Sequence, residues 1–365
     1  MKRHTLGSAG NRLVSGLAAV LILAECAPGN DSKPAASDST QSRAARQGAG
    51  GSTASAPAET VPREPALVPG LATAKDAGPP KEHFDMPGWK APAEAEIPND
   101  SLGASIRRGL ALINHTSDSL PRYDVGSLQC TSCHIDNGTK FDAAALTGAQ
   151  ARFPKYMDRT GAVIPLADRI NYCFTRSLGG YRLPTDSREM QDIAAYLGFI
   201  SKGVPVGSHI AGSAGLLSMP HKLVGDTARG SQVFASTCIA CHGPQGQGSA
   251  VVPPLWGPKS YSVGASMARE ERAASFVWHN MPLTAPGTLT EQQAFDVSAY
   301  INAMPRPDSP GKEKDWPAGG TPYDVPYNTS DHRAYRPPAH LYSRPNPERA
   351  MVPPPARIAG GPKRT

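Results

Sequence analysis

The 365-residue chain contains 36 glycines, 37 prolines and 6 cysteines and carries a net charge of +6 at neutral pH. Glycine and proline at this level favour long irregular segments beside the folded parts, and the length allows two or three domains. The basic residues are scattered and are not interleaved with aromatic residues, which argues against a nucleic-acid partner.

Residues 1–26 have the pattern of an export signal. Lys2 and Arg3 precede an apolar run over residues 13–24 that is too short for a permanent membrane span. Cys26 follows Leu23-Ala24-Glu25, which resembles a lipoprotein cleavage site except for the glutamate, so lipidation and plain cleavage both stay open. Either way the sequence predicts an exported, periplasmic protein, with a lipid anchor to the membrane as one alternative.

Residues 27–98 are rich in alanine, proline, glycine and serine and contain few aromatic residues. Such a composition cannot bury enough apolar surface to fold, so we predict a flexible linker.

The first folded domain is predicted over residues 99–203. Apolar residues recur at helical spacing from Leu102 to Ile113, and Asp100 or Ser101 can cap the start of that helix. Asp186 and Glu189 form a candidate capping box for a final helix. A glycine- and serine-containing connector is predicted over residues 204–220.

The second domain is predicted over residues 221–306. Helices are expected near 225–235 and 266–279, and a third helix starts at Thr290, where Gln293 completes a capping box. The proline-rich extension over residues 307–365 is expected to wrap the domains in extended form up to about residue 327 and to be disordered beyond it.

Each domain contains the motif C-x-x-C-H, at Cys130-Thr131-Ser132-Cys133-His134 and at Cys238-Ile239-Ala240-Cys241-His242. This is the signature for covalent attachment of haem c, in which two thiols bond to the porphyrin and the histidine becomes the proximal iron ligand. A zinc site or a redox dithiol would leave the repeated histidine unexplained. We therefore predict two covalently bound haem c groups in an all-α fold of two tandem class I cytochrome c-like domains with long irregular Pro/Gly-rich termini.

The sixth iron ligand differs between the two domains. In the second domain Met281 lies in a loop before Pro282 and is the first candidate, with His279 as the alternative; Met267 and Met304 lie on helical faces. In the first domain Cys173 is the candidate, since the nearby Arg169 and Arg176 favour its thiolate form. A buried free thiol is the alternative.

The segment around Cys173 resembles the thiosulfate dehydrogenases, dihaem cytochromes that couple two thiosulfates into tetrathionate. The resemblance covers about residues 100–328 and is most specific in the segment 168–177. It is carried by the residues Asp168-Arg169-Ile170-Asn171, Cys173-Phe174, Arg176-Ser177, Leu120-Pro121, Tyr123, Asn280-Met281-Pro282 and Asp315-Trp316-Pro317 with Gly319-Gly320.

The resemblance implies roles for individual residues. Cys173 matches the axial cysteine of the active-site haem, Arg159 and Arg169 match arginines that hold the substrate anion, and Ser177 matches a polar pocket residue. Met281 matches the distal ligand of the electron-transfer haem. Two positions depart from the family: Asn280 stands where some members carry a lysine that can exchange with the methionine, and Gly179 stands where an asparagine is usual.

Three functions remain open from the sequence. The first is thiosulfate oxidation to tetrathionate, in either direction, with electrons passing to a redox partner such as another cytochrome. The second is a non-catalytic dihaem electron carrier, for which Cys173 and its arginines would have no use. The third is a related enzyme acting on another sulfur anion.

Overall fold

A computed structural model describes residues 86, 88–124, 126–208, 210 and 215–344, all within one compact unit. The predicted export signal, Cys26, most of the predicted linker and the end of the C-terminal extension lie outside these residues. Within the described ranges, no helix is long and apolar enough to cross a membrane.

The first domain opens with α1 (Ser101–Asn114), whose start is fixed as the sequence predicts. The Asp100 side chain accepts a hydrogen bond of 2.8 Å from the Gly103 amide, and Ile106 and Ile113 are buried in the core. The domain continues through α2 (Thr116–Ser119), a 3-10 helix (Cys130–Ser132), α3 (Ile135–Gly138), α4 (Ala149–Arg152), the antiparallel strands β1 (Lys155–Met157) and β2 (Ala162–Ile164), α5 (Leu166–Tyr172), a π-helix (Cys173–Ser177) and α6 (Arg188–Phe199).

The predicted capping box at Asp186 and Glu189 is wrong by one residue. The Ser187 side chain caps α6 by accepting a hydrogen bond from the Met190 amide at 3.2 Å. Glu189 therefore lies inside the first turn, where its charge favours the positive end of the helix dipole instead of closing a box.

The second domain contains α7 (Thr227–Val233), a π-helix (Phe234–Cys238), α8 (Ile239–His242), a 3-10 helix (Ser266–Ala268), α9 (Glu270–Asn280) and α10 (Glu291–Ala303). The capping box of Thr290 and Gln293 is confirmed. The helix expected over 266–279 is divided after Ala268, because Asp324 of the C-terminal extension accepts a hydrogen bond from the Glu271 amide and so caps a new helix start.

Both domains are held by the same helix crossing. A Cβ on Gly109 of α1 would lie 2.0 Å from the Asp192 carbonyl oxygen of α6, and one on Gly230 of α7 would lie 1.9 Å from the Asp296 carbonyl oxygen of α10. Only glycine allows these helices to approach so closely. The repeated contact supports a duplicated domain.

An ion pair beside each glycine is also repeated. Arg108 donates two hydrogen bonds to Asp192, of 2.7 and 2.8 Å, and Arg229 donates two to Asp296, both of 2.7 Å. Both aspartates are buried, whereas both arginines are partly open to solvent. The paired geometry fixes the orientation of the crossing helices in each domain.

The C-terminal extension is ordered further than expected. Strand β3 (Arg306–Pro307) pairs in parallel with β4 (Leu341–Tyr342), with a 3-10 helix (Lys312–Lys314) between them. Trp316, Val325 and Tyr327 form a buried cluster with Val263 of the second domain. The wrapping up to residue 327 is thus found, but the disorder predicted beyond it is wrong for residues 328–344, where Arg336 pairs with Glu270 at 3.1 Å.

The fold is dominated by helices, with two short strand pairs, so the all-α class is confirmed in its coarse form. The end of the predicted linker packs on the first domain. Ile97 is 6% exposed within its core, and the Trp89 indole donates a hydrogen bond of 3.1 Å to the Lys202 carbonyl oxygen.

The repeated crossing can be tested by adding single methyl groups. We expect Gly109→Ala and Gly230→Ala each to lower the free energy of unfolding by at least about 2 kcal/mol, because the new Cβ meets backbone rather than a movable side chain. The matched control is Gly198→Ala in α6, where no atom lies within 4 Å of the new Cβ. Denaturant unfolding of the control should show no loss, and a gain of up to about 1 kcal/mol is expected from helix propensity. Equal stability of all three variants would contradict this account.

Candidate functional site

The first C-x-x-C-H motif is held by α2 and by the loop that follows the motif. Thr116, which is fully buried, accepts a hydrogen bond of 3.1 Å from the Cys130 amide and donates one of 3.2 Å to the Cys130 sulfur. The His134 Nδ1 atom is paired with the Ala144 carbonyl oxygen. This pairing fixes the ring and leaves Nε2 for a metal.

The second motif repeats the arrangement on a helix. Cys238, Cys241 and His242 lie across the π-helix and α8, and the His242 Nδ1 atom is 3.1 Å from the Pro253 carbonyl oxygen. None of the motif cysteines forms a disulfide bond within the described part of the chain. Two thiols followed by a histidine oriented through Nδ1 fit the needs of a covalently attached haem with a proximal histidine in each domain.

Three thiols of the first domain differ sharply in acidity. Burial raises the pKa of both Cys130 and Cys133 to about 12. Burial acts in the same direction on Cys173, but the charge of Arg169 and a hydrogen bond with His134 outweigh it and lower the pKa to about 6. Cys173 is therefore the thiolate of the group, which is the form that binds iron and attacks sulfur.

The turn after α5 places Cys173 beside its arginine. Arg169 lies four residues earlier on α5, so both side chains share one face, and its Nη1 donates to the Cys173 sulfur at 3.0 Å. The π-helical turn Cys173–Ser177 carries Ser177 in the same turn, and the Ser177 carbonyl oxygen accepts a hydrogen bond from the Ser262 amide of the second domain. The structure thus brings Cys173, Arg169 and His134 together at one site.

Arg159 is oriented by the C-terminal extension. It lies between β1 and β2, and its Nε and Nη2 atoms donate to Asp315 at 2.9 Å and to the Tyr327 hydroxyl at 2.5 Å. Its guanidinium carbon also lies 5.0 Å from the Trp316 ring centroid. Two of its donor atoms are therefore committed to the C-terminal extension, and Nη1 remains for an external anion.

Asp315 is the residue of this site that the sequence analysis missed. It is 2% exposed, and its second oxygen accepts a hydrogen bond of 2.6 Å from Arg176, so a single carboxylate bridges two guanidinium groups. The Tyr172 ring lies between the same arginines, 5.5 Å from Arg159 and 5.6 Å from Arg176. The sequence contained Asp315 in the segment that carries the resemblance, but nothing local linked it to residues more than a hundred positions away.

The site keeps an excess of positive charge. Arg159 and Arg176 share the Asp315 carboxylate, Arg169 contacts the Cys173 sulfur, and two further cations lie nearby. The pKa of Lys155 is lowered mainly by burial and also by the charges of Arg152 and Arg169. The pKa of Arg152 is lowered mainly by burial and also by the charge of Arg169. Cations that oppose each other's charge in this way favour a bound anion.

In the second domain Met281 follows the last residue of α9 in extended conformation and is partly buried. The alternative ligand, His279, turns its Nδ1 atom back to the Ser275 carbonyl oxygen at 2.8 Å, within its own helix. Met267 packs against the core of the first domain, and Met304 ends α10. Met281 therefore lies just after a helix, in a position from which a loop can present its sulfur to the iron, and it stays the first candidate for the sixth ligand.

Comparisons with known proteins agree with two haem domains. Residues 125–206 match the family described as "SoxA/TsdA, cytochrome c domain", and residues 227–305 match "Cytochrome c". The chain therefore contains two cytochrome c domains, which imply haem c binding, and the predicted tandem arrangement is confirmed.

Four relatives that cover 59–66% of this chain are thiosulfate dehydrogenases. The chain is 40% identical over 245 residues to a thiosulfate dehydrogenase of Psychrobacter arcticus, covering 66% of this chain and 75% of that protein. It is 38% identical over 226 residues to one from Allochromatium vinosum, covering 59% and 83% respectively. The solved thiosulfate dehydrogenase TsdBA of Marichromatium purpuratum matches with a TM-score of 0.58 and 33% identity over 61% of this chain; this chain spans half of that protein's length.

The bridging role of Asp315 predicts a large loss of stability on neutralisation. We expect Asp315→Asn to lower the free energy of unfolding by about 3 kcal/mol or more, because two partly buried guanidinium groups lose their shared carboxylate. Lys312→Gln in the same extension removes a more exposed pair with Asp308 and should cost about 1 kcal/mol or less. Thermal or denaturant unfolding of both variants measures the difference, and similar losses would rule out a special role for Asp315.

Proposed function

The chain belongs to the thiosulfate dehydrogenase family, and on that premise we propose that it is an enzyme that oxidises two thiosulfate anions to tetrathionate. The same steps can also run in reverse. The observation that supports this most strongly is the Cys173 thiolate with Arg169 donating to its sulfur at 3.0 Å. An electron carrier needs neither a reactive thiolate nor an excess of cations beside it.

The residues that would hold the cofactors are the two C-x-x-C-H motifs. Cys130 and Cys133 would attach one haem covalently and Cys238 and Cys241 the other, with His134 and His242 as proximal ligands. Cys173 is proposed as the distal ligand in the first domain and Met281 in the second. When bound, these haems supply one-electron acceptors, from which an external redox partner such as a cytochrome draws the electrons.

Thiosulfate is a dianion, and the charges of the site suit it. Arg169 supplies a guanidinium directly beside the reactive sulfur, whereas Arg159 presents the part of its guanidinium that Asp315 and Tyr327 leave free. We assign Arg169 to hold the thiosulfate that reacts with Cys173 and Arg159 to orient its oxygens. Ser177, in the same turn as Cys173, is proposed as a polar contact.

The proposed chemistry begins with an oxidative coupling at Cys173. A bond would form between the Cys173 sulfur and the terminal sulfur of one thiosulfate as two electrons leave, one for each of the two haems that the motifs would hold, and the adduct is Cys173–S–S–SO3⁻. The terminal sulfur of a second thiosulfate then attacks the outer sulfur of the disulfide bond, which breaks. Tetrathionate leaves and Cys173 returns as a thiolate, so no proton has to move in either step.

Glycine at position 179, where the family usually has asparagine, leaves the backbone conformation of the site unchanged. Its φ of +63° lies in the left-handed region that glycine and asparagine both adopt, and an added Cβ would have its nearest contacts at 3.5 Å. The asparagine usual in the family could therefore stand here without displacing the chain. Because this chain lacks the asparagine side chain, we keep a related sulfur anion as the alternative substrate.

Location follows from the sequence alone. We propose that the protein is exported to the periplasm, where haem attachment takes place, either free or tethered to the membrane by a lipid on Cys26. The residues that decide this lie outside the described part of the chain.

Removal of the nucleophile tests the proposed function. We expect Cys173→Met to keep both haems attached, since the four motif cysteines are unchanged, and to lose at least about 10³-fold in thiosulfate turnover. The matched control is Thr175→Ala in the same turn, whose hydroxyl donates to the Asn171 carbonyl oxygen of the preceding helix. Haem content by pyridine haemochrome and turnover with thiosulfate are the measurements. A Cys173→Met enzyme with undiminished turnover would refute the proposal.

The contact of Arg169 with the sulfur predicts a graded effect. A hydrogen bond to a charged group contributes about 1.5–3 kcal/mol, so Arg169→Gln should lower kcat/KM for thiosulfate about 10- to 150-fold. Arg169→Lys keeps the charge but loses the planar, forked guanidinium, so its kcat/KM should lie between those of Arg169→Gln and the wild type. Steady-state kinetics give the comparison. If Lys and Gln variants were both as active as the wild type, Arg169 would have no part in binding or activation.

A further inference from the structure

The carbonyl oxygen that holds His134 belongs to a strained loop, residues 140–146. Asp142 and Ala144 have φ angles of +65° and +52°, in the left-handed region that residues with a side chain rarely adopt. Ala144 provides the carbonyl oxygen for His134 Nδ1. The Ala143 amide donates to the Lys140 carbonyl oxygen at 3.3 Å, and the Leu146 amide donates to Gly138, just before the loop, at 2.7 Å. Neither bond uses the Asp142 carbonyl oxygen, which takes its partner from outside the loop.

That partner comes from the second domain. Asn280, the last residue of α9, is fully buried, and its Nδ2 donates to the Asp142 carbonyl oxygen at 2.9 Å and to the Phe276 carbonyl oxygen at 3.1 Å. These two donated bonds, one to each domain, fix the orientation of the amide.

The equivalent loop of the second domain needs no such support. His242 Nδ1 faces the carbonyl oxygen of Pro253, which is followed by Pro254, and proline rings fix the φ angles of both residues. The Ser249 amide donates to the Val252 carbonyl oxygen at 2.8 Å and closes that loop within its own domain. Of the two histidines, His134 is therefore the one whose carbonyl partner lies in a loop that bonds to a side chain of the other domain.

Asn280 is also the residue immediately before Met281. One buried amide therefore connects the segment that carries the proposed iron ligand of the second domain with the loop that holds the proximal histidine of the first. We propose that Asn280 is a positioning residue that couples the two haem sites: it holds the 140–146 loop so that the Ala144 carbonyl oxygen keeps its bond to His134. This inference rests on the assignment of His134 and Met281 as iron ligands made above, but not on thiosulfate as the substrate.

The coupling has a direct electrochemical consequence. A strong hydrogen bond from the histidine Nδ1 makes the imidazole a better donor and stabilises the oxidised iron. Loss of the Asn280 bond should loosen the loop and weaken that contact, which raises the midpoint potential of the haem attached at Cys130 and Cys133. A substitution in the second domain would thus change the properties of a cofactor held by the first.

The test is spectroelectrochemical titration of the holoprotein with Asn280→Ala. We expect unchanged haem content and a shift of the first-domain haem to a more positive midpoint potential, together with changes in its ferric electron paramagnetic resonance signal. The matched control is Ser275→Ala in the same helix. Ser275 is buried and its hydroxyl donates to the Leu217 carbonyl oxygen, so its loss should leave the first-domain haem unchanged.

A second substitution changes a side chain of the loop and keeps its carbonyl groups. Ala144→Gly keeps the oxygens that His134 and Asn280 contact, suits the left-handed backbone and changes no charge, so the first-domain potential should stay at its wild-type value. If Asn280→Ala fails to fold, Asn280→Ser serves in its place. A shift confined to the second-domain haem, or no shift at all, would overturn the proposal. Turnover of the wild type with thiosulfate is a separate measurement, so failure of the proposed function and failure of this inference are distinguishable.

Discussion

The contact between the Arg169 guanidinium and the Cys173 sulfur is the interaction on which the proposed chemistry depends. The site buries three thiols, and burial alone would keep each of them protonated. One turn of helix between Arg169 and Cys173 brings a cation to a single sulfur at 3.0 Å and selects that sulfur as the thiolate. The four-residue spacing between Arg169 and Cys173 is therefore the local feature that distinguishes the reactive cysteine from the two cysteines that would attach the haem.

The positive charge of this site has to be held in place, and the C-terminal extension does so. Asp315 joins Arg159 and Arg176, while Asp324 and Arg336 of the same extension pair with Arg269 and Glu270 of the second domain. The extension thus links the anion site of the first domain to the core of the second. Because Asp315 and Tyr327 each accept a hydrogen bond from Arg159, the extension also decides which part of that guanidinium can face a substrate.

The features that the sequence predicted well are local in the chain. The C-x-x-C-H motifs, the Asp100 and Thr290 caps and the Arg169–Cys173 spacing each involve residues within one or two helical turns. What it missed depends on contacts between distant segments: the bridge from Asp315 to Arg159, the ordered course of residues 328–344, and the contact of Asn280 with the 140–146 loop. A proline-rich composition predicted disorder, but Asp315, Asp324 and Arg336 pair with the folded domains and hold the extension in place. The helix crossing at Gly109 and Gly230 was similarly invisible, since a glycine in a helix reveals its purpose only when the partner helix is in place.

The most direct test of the central claim is turnover by the wild-type, haem-loaded protein with thiosulfate as the only electron donor and ferricyanide as acceptor, at mildly acidic and neutral pH. The account predicts saturable reduction of ferricyanide, with tetrathionate as the product and one tetrathionate formed for each pair of ferricyanide ions reduced. A protein that carries both haems intact and yet shows no turnover with thiosulfate or with tetrathionate would contradict it. Cys173 would then be a ligand that sets a potential, and the chain an electron carrier.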